Sequence, residues 1–476
     1  MSADPGRGAG SPGRVASMPR RMSIDRLASR FFSLTGAGTL VAGRPGMGWL
    51  LAEVIPVFVW AQVTGALLGE SFYLVSYLTL LGASAGTLAL LPLVAYAGNA
   101  GSSLLVFARH HGDAGRDAKR RCVVDTGFGR LCWLGTVLWP LLGLHLGWPS
   151  PVLLGWVFAS IFLAQLCHAA GGSSFVVWTQ AVVPRAQRGR FYVWRNCASF
   201  GSTALVVLAL GAVLPKGAAA GPQHLPWLMG IFAAVTVLCL ASTAMLARCP
   251  AMPEEVQDAP RLPFRAAFAQ ARGYRQVLEF NVATVVATAI SMAYLPALLH
   301  DRGVGTATFA ATQGLVFFPA MLGGILFAGW GLGRLGGHLL LVLTATLLLA
   351  ADVGFLLLPD PTWLAPCLAL SGVAKGMWGI ALIGRQQELC PAGDARFPAL
   401  LVGVGALAAM VVALVLSQVV PLLEGSGTLR DGAPWSAHVT VAWVLMAGSG
   451  ALRLVAVGLL VSRWPSPVDR GPATRH

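Results

Sequence analysis

The chain has 476 residues, of which 56% are hydrophobic and only 11% charged, where soluble domains average about 25% charged. The net charge is +14, but the basic residues are dealt a few at a time between apolar stretches and form no continuous stripe that could track a phosphate backbone. This excludes an ordinary soluble domain and argues against a nucleic-acid partner; it reads instead as a membrane-topology signal with attraction to anionic headgroups.

In chain order, residues 1–48 are rich in Arg, Gly and Ser and read as a disordered cytosolic tail, with a short amphipathic piece around Ile24–Phe32 lying on the membrane. No cleavable signal peptide is expected, because the first apolar stretch starts late and is too long for one. A window of about 20 residues, the length that crosses a bilayer core, then finds twelve apolar stretches. They lie near 49–75, 83–107, 122–147, 151–180, 195–214, 226–247, 275–299, 306–332, 337–358, 362–384, 396–422 and 436–462. Basic residues crowd the two tails and the even-numbered loops, while the odd-numbered loops hold only Lys216, Arg302 and Arg430. By the positive-inside rule both termini are cytoplasmic. Three basic residues, Arg130, Lys375 and Arg453, fall inside apolar stretches.

The longest charged, proline-bearing interruption is 248–274. It divides the stretches six and six, so the expected organisation is a half at 49–247, a cytosolic linker at 248–274, a half at 275–462 and a cytosolic tail at 463–476. Two such halves imply an internal duplication with a substrate path between them near the midplane. Within the linker, 263–272 is expected to form a short interfacial helix, with Arg265 and Arg272 towards headgroups and its Phe residues towards lipid. The eight Cys are scattered without a CxxC pair, which fits packing thiols and neither a metal site nor a disulfide framework.

Three loops carry a resemblance. The eighth, GWGLGRLGGH (329–338), places glycines where two helix ends must turn tightly, with Arg334 able to reach helix-terminal carbonyls or a carboxylate. The fourth (182–196) carries Pro184, Arg188 and Gly189 in a Pro-x-x-x-Arg-Gly spacing, and the second (108–121) has Asp113, Arg116 and Asp117 without a clean Gly-Arg-x-Gly spacing. The eighth and fourth loops resemble the loop signatures of the major facilitator superfamily, over a layout spanning about 48–462; the second departs from them. The resemblance implies an all-α membrane fold of twelve transmembrane helices in two six-helix halves, and transport by alternating access. It names no substrate.

Polar groups at membrane depth are costly and face a cavity or a partner. Substrate-path candidates are Gln62, Asn99, Gln165, His168, Gln313 and Lys375. Gln165 and His168 stand one turn apart on one face. Lys375, near mid-helix between Gly372 and Gly376, reads equally as a cation for an anionic solute group or as half of a structural ion pair. Coupling or gating candidates are Glu53, Asp125, Arg130, Arg188, Glu279, Arg334 and Asp352. Glu53 is a proton carrier or the partner of a basic loop residue; Asp125 and Arg130, five apart, read as a network near the inner mouth. Glu279 sits where a helix N-terminus favours negative charge, and Asp352 is expected to pair with Lys375. No HExxH, GxSxG or GxxxxGK[ST] is present. The reading is a monomeric secondary transporter of the cytoplasmic (inner) membrane, without cofactor, metal or enzymatic activity. It would export a small amphipathic solute, coupled to protons; the alternative is a non-transporting protein of the same fold serving as a scramblase, sensor or assembly factor.

Overall fold

The computed structural model describes residues 47–64, 72–84, 87–88, 90–109, 118–184, 187–213, 225–251, 263–271, 273–301, 312–357, 361–389, 394–425 and 441–462. Among the described residues every regular element is a helix. Before residue 250 these are α1 (Met47–Ala52), α2 (Val54–Thr64), α3 (Phe72–Leu80), α4 (Leu91–Arg109), α5 (Ala118–Trp133), α6 (Gly135–His145), α7 (Ser150–Val182), α8 (Arg188–Val213) and α9 (Leu225–Ala247). After residue 263 come α10 (Phe264–Gln270), α11 (Tyr274–Asp301), α12 (Phe318–Arg334), α13 (Gly336–Leu357), α14 (Leu364–Leu389), α15 (Arg396–Gly425) and α16 (Val441–Ser462). Nine helices among the described residues, counting Ala118–His145 as one, are long and apolar enough to cross a membrane. The described residues of the stretches predicted at 49–75, 195–214 and 275–299 are also mostly helical, but these helices are not among the nine. The expected tail helix at 24–32 and most of the second loop lie outside the described residues.

Prolines explain where the long helices are interrupted. Pro56 has no N–H to give the carbonyl of Ala52, and the first apolar stretch breaks at Glu53, between α1 and α2. Pro140 inside α6 likewise frees the carbonyl of Thr136, which accepts a hydrogen bond from the Tyr77 hydroxyl of α3 at 2.7 Å. Pro319 cannot bond Leu315, and the chain entering α12 widens into a π turn over Gln313–Phe317. In each place the backbone polarity released by the ring must find another partner, because hydrocarbon offers none.

Elsewhere small residues let helices approach. A Cβ on Gly376 of α14 would overlap the Met321 carbonyl oxygen of α12, and one on Gly324 of α12 would overlap the Val373 carbonyl of α14. Among the described residues, two such crossings join the helices before residue 250 to those after 263. Gly403 of α15 sits against Ser103 of α4, and Gly329 of α12 against Val193 of α8. Ser103 Oγ donates to the Ala399 carbonyl at the first crossing. One buried apolar cluster runs through this region, joining Trp178, Phe191 and Tyr192 to Met321, Ile325, Ala328 and Leu341.

The predicted linker helix exists as α10, but its phenylalanines do not face lipid. Phe264 packs on Phe107 and Phe397, and Phe268 on Tyr274 and Phe397, at centroid separations of 5.0–6.4 Å. The reason is local: α10 is followed almost at once by α11, so its apolar face lies over the start of α11 and α15, where aromatic edges are waiting.

Gly376→Val is expected to lower the thermal unfolding temperature in detergent, since overpacking a close helix crossing costs about 1–3 kcal/mol. Gly379→Val on the same helix, where an added Cβ meets nothing within 4 Å, should leave it unchanged.

Candidate functional site

Among the described residues, the most deeply buried charges form two clusters. In the first, Glu53 stands at the α1/α2 break and is 1% exposed. Its carboxylate accepts a hydrogen bond from Arg195 Nη2 of α8. Arg195 Nη1 donates to the Leu50 carbonyl at 2.8 Å, so one guanidinium serves both the carboxylate and the backbone beside the break. The same guanidinium lies 4.3 Å from the Phe175 ring centroid of α7, a favourable face for a desolvated cation. Arg130 of α5 approaches from the other side, its Nη2 3.9 Å from Glu53 Oε2. Its Nη1 donates to Ser242 Oγ at 2.7 Å and Thr243 Oγ1 at 2.9 Å on α9. Next to this cluster Trp60 packs edge-on against Trp133 and lies 5.7 Å from the His168 ring.

The second cluster joins α11, α13 and α16. Asp352 Oδ2 accepts from Arg453 Nε at 2.6 Å and Ser449 Oγ at 2.8 Å. Ser291 bonds Ser449 at 2.6 Å and accepts from Arg453 Nη2 at 3.3 Å. Asp352 therefore pairs with Arg453 and not with Lys375. The two helices next to each other in sequence do pack, but the face of α13 that carries Asp352 turns towards α16.

Lys375, half-buried on α14, places its Nζ 5.5 Å from the Phe317 ring centroid, at the end of the π turn. Glu53 pairs with an arginine on a helix instead of one in a loop. Asp125 and Arg130 do not bond each other: Asp125 takes both its short contacts from Arg109 Nη1 at 2.6 and 2.8 Å, while Arg130 turns inward to α9. A separation of five residues points the two side chains around different sides of α5. Glu279 bonds Arg275, one turn back, at 2.8 Å. Arg188 donates to the carbonyls of Gln180 (2.6 Å) and Val183 (3.2 Å) at the end of α7. Arg334 lies 4.7 Å over the Trp330 ring. Gln165 is buried on α7 beside Gly98 of α4, and Asn99 is half-buried on α4. The side chains of Gln62 and Gln313 lie outside the described residues.

Three groups escaped the sequence reading. Arg195 looked like a loop charge, and Arg453 was noted as membrane-embedded without a partner. The third is a polar clasp where α7, α8 and α14 meet: Gln387 donates to the Tyr192 hydroxyl at 2.7 Å, Tyr192 bonds Thr179 at 3.0 Å, and Gln180 donates to the Gln387 carbonyl at 3.3 Å. Single neutral residues near helix ends carry no distinctive spacing, so nothing in the sequence marks them.

No protein-family model matches the chain, and no curated protein matches it in sequence. Solved structures do match in shape. The proton:xylose symporter XylE bound to 6-bromo-6-deoxy-D-glucose aligns with a TM-score of 0.64 at 14% identity, over 88% of this chain and 95% of that one. The human organic anion transporter MFSD10 (TETRAN) aligns at 0.57 and 13%, over 87% and 98%. A bacterial homologue of the iron transporter ferroportin in an outward-facing state aligns at 0.56 and 15%, over 87% and 98%. The chain has the major facilitator fold. Within that fold, both charge clusters are internal to one group of helices, whereas the clasp and the two glycine crossings bridge the groups.

Breaking the second cluster tests its structural weight. Arg453→Ala is expected to cost about 3–5 kcal/mol by leaving Asp352 buried and alone, read as lost thermal stability in detergent. The double variant Arg453→Met, Asp352→Leu should recover most of it, and Arg275→Ala, at a 75% exposed partner, should cost under about 1 kcal/mol.

Proposed function

We propose that this chain is a secondary transporter of the cytoplasmic membrane that moves a small amphipathic solute bearing an anionic group. Its twelve membrane helices form two six-helix halves, 49–247 and 275–462, with both termini in the cytosol, and it works as a monomer by rocking the halves about a central path. The observation that carries the reading is where the charged and the neutral contacts lie. The ion clusters of Glu53 and Asp352 each sit within one group of helices, whereas glycine crossings and the neutral clasp join the groups, the distribution that rocking requires. Lys375, half-buried on α14 between Gly372 and Gly376, is the cation we assign to the solute's anionic group, since an ionisable residue at membrane depth is the first candidate for a functional site. The fold shared with an organic anion transporter is in keeping with this.

Lys375 and His168 are placed on the path, with Gln62, Asn99, Gln165 and Gln313 as further contacts. Glu53, held between two arginines, is the coupling carboxylate of a proton-linked cycle, as the likeness to a proton symporter allows. Asp352 serves the structure of the second half. Export follows from the sparse polar lining, which suits a solute already dissolved in the membrane. The clasp of Tyr192, Gln387 and Gln180, with the glycine crossings, closes the end where the basic loops lie. The cytosolic mouth is thus shut and the protein faces outward, with neutral contacts doing what the departing second loop does not.

Two-sided thiol labelling tests this. In a background lacking the eight native Cys, Lys375→Cys is expected to react with a membrane-impermeant reagent from both faces. Adding Tyr192→Ala and Gln387→Ala should raise cytosolic labelling several-fold. Labelling from one face regardless of the clasp, or from neither, would remove alternating access or Lys375's place on the path.

A further inference from the structure

Helices α4 and α15 meet tightly at Ser103 and Gly403. Seven to eleven residues further along α15, roughly 10–17 Å at 1.5 Å per residue, they border a cavity, open to one side, of about 430 Å³ lined by Leu90, Val94, Ala97, Phe158, Phe162 and Met410, together with Leu93, Ala159 and Leu414. Every lining residue is apolar. Two walls, α4 and α7, belong to one rigid pair: a Cβ on Gly98 would stand 2.9 Å from the Phe162 carbonyl oxygen. The third wall, α15, belongs to the other group of helices. All three helices are candidate membrane spans, and the rim residues Leu90 (49% exposed) and Leu414 open to the outside of the bundle.

We infer that this cavity is a binding site for one acyl chain of a membrane phospholipid, entering sideways from the bilayer. The volume falls in the range of small-molecule sites, about 300–1,000 Å³. Nothing in the lining can satisfy a headgroup, a peptide or a charged solute group, so the occupant must be a hydrocarbon chain whose polar end stays outside. The surrounding medium at this depth is made of such chains. Because the walls come from both groups of helices, a chain seated there touches both and lies against the seam between α4 and α15. The inference requires only that the protein sits in a membrane, so it stands or falls apart from any transported solute.

The test uses the full-length protein in vesicles of phosphatidylcholine carrying a diazirine at the end of one acyl chain. After irradiation, adducts are mapped by peptide mass spectrometry. Adducts at Ala97, Phe162 and Met410 that survive detergent washing before irradiation are expected. Ala159→Trp, which fills the cavity from the rim, should reduce them several-fold while labelling at the exposed Leu138 and Leu141 stays unchanged. Met410→Trp fills it from the opposite wall and should do the same, so misfolding of one variant leaves the other to decide. Cavity labelling no greater than at Leu138 and Leu141, labelling indifferent to both fillings, or adducts lost on washing would overturn the inference.

Discussion

A membrane interior supplies no hydrogen bonds and little dielectric screening, so every charge and every released carbonyl there must be answered from within the chain. That constraint sets the position of Glu53. Its carboxylate cannot be buried alone, and the carbonyls around the helix break beside it cannot be left bare. Arg195 meets both needs with one guanidinium, bonding the carboxylate and the Leu50 carbonyl together. Arg130 balances the other side while anchored to Ser242 and Thr243. Four helices, α1, α5, α8 and α9, are thereby pinned around one acid. The Asp352 cluster pins α11, α13 and α16 in the same way with a different residue set.

These clusters make each group of helices stiff, and the contacts between the groups are of another kind. Besides the apolar cluster the groups share, they are, among the described residues, glycine crossings and neutral hydrogen bonds, concentrated where α7 and α14 end. A neutral contact can be broken without exposing a bare charge, at about 0.5–1.5 kcal/mol per hydrogen bond, while a buried ion pair resists with several times that. The buried ion pairs lie within the groups, and the polar contacts between them are neutral. This is the distribution that rigid-body rocking requires.

Much of this was legible in the sequence for a physical reason. Hydropathy over a helix length and the placement of basic residues report on each segment separately, so the apolar stretches and the linker helix emerge without knowledge of packing. Pairing does not. Asp352 was expected to meet Lys375 because their helices are consecutive, yet the partner is Arg453, about a hundred residues away on a helix brought alongside by the fold. The pairing of Asp125 with Arg109 was hidden by the nearer Arg130. The phenylalanines of α10 were assigned to lipid because an amphipathic segment at a membrane surface has two apolar neighbours to choose from, and only the position of Phe397 decides.

The buried charge clusters and the sideways apolar cavity bear on one question, how an amphipath would be handled. Charge lies inside the bundle where Arg130 and Arg195 flank Glu53, and hydrocarbon-lined space opens at its flank between α4, α7 and α15. A water-soluble solute would need a polar route along its whole path. A molecule with one charged end and one greasy end needs polarity in only one place. An apolar lining at this flank, with the buried ion clusters set apart from it, is in keeping with the second requirement. The cavity is shared by both groups of helices, so whatever fills it is felt by the rocking motion. A lipid chain seated there would enter the balance between conformations, because any change in the spacing of α4 and α15 alters the room left for it.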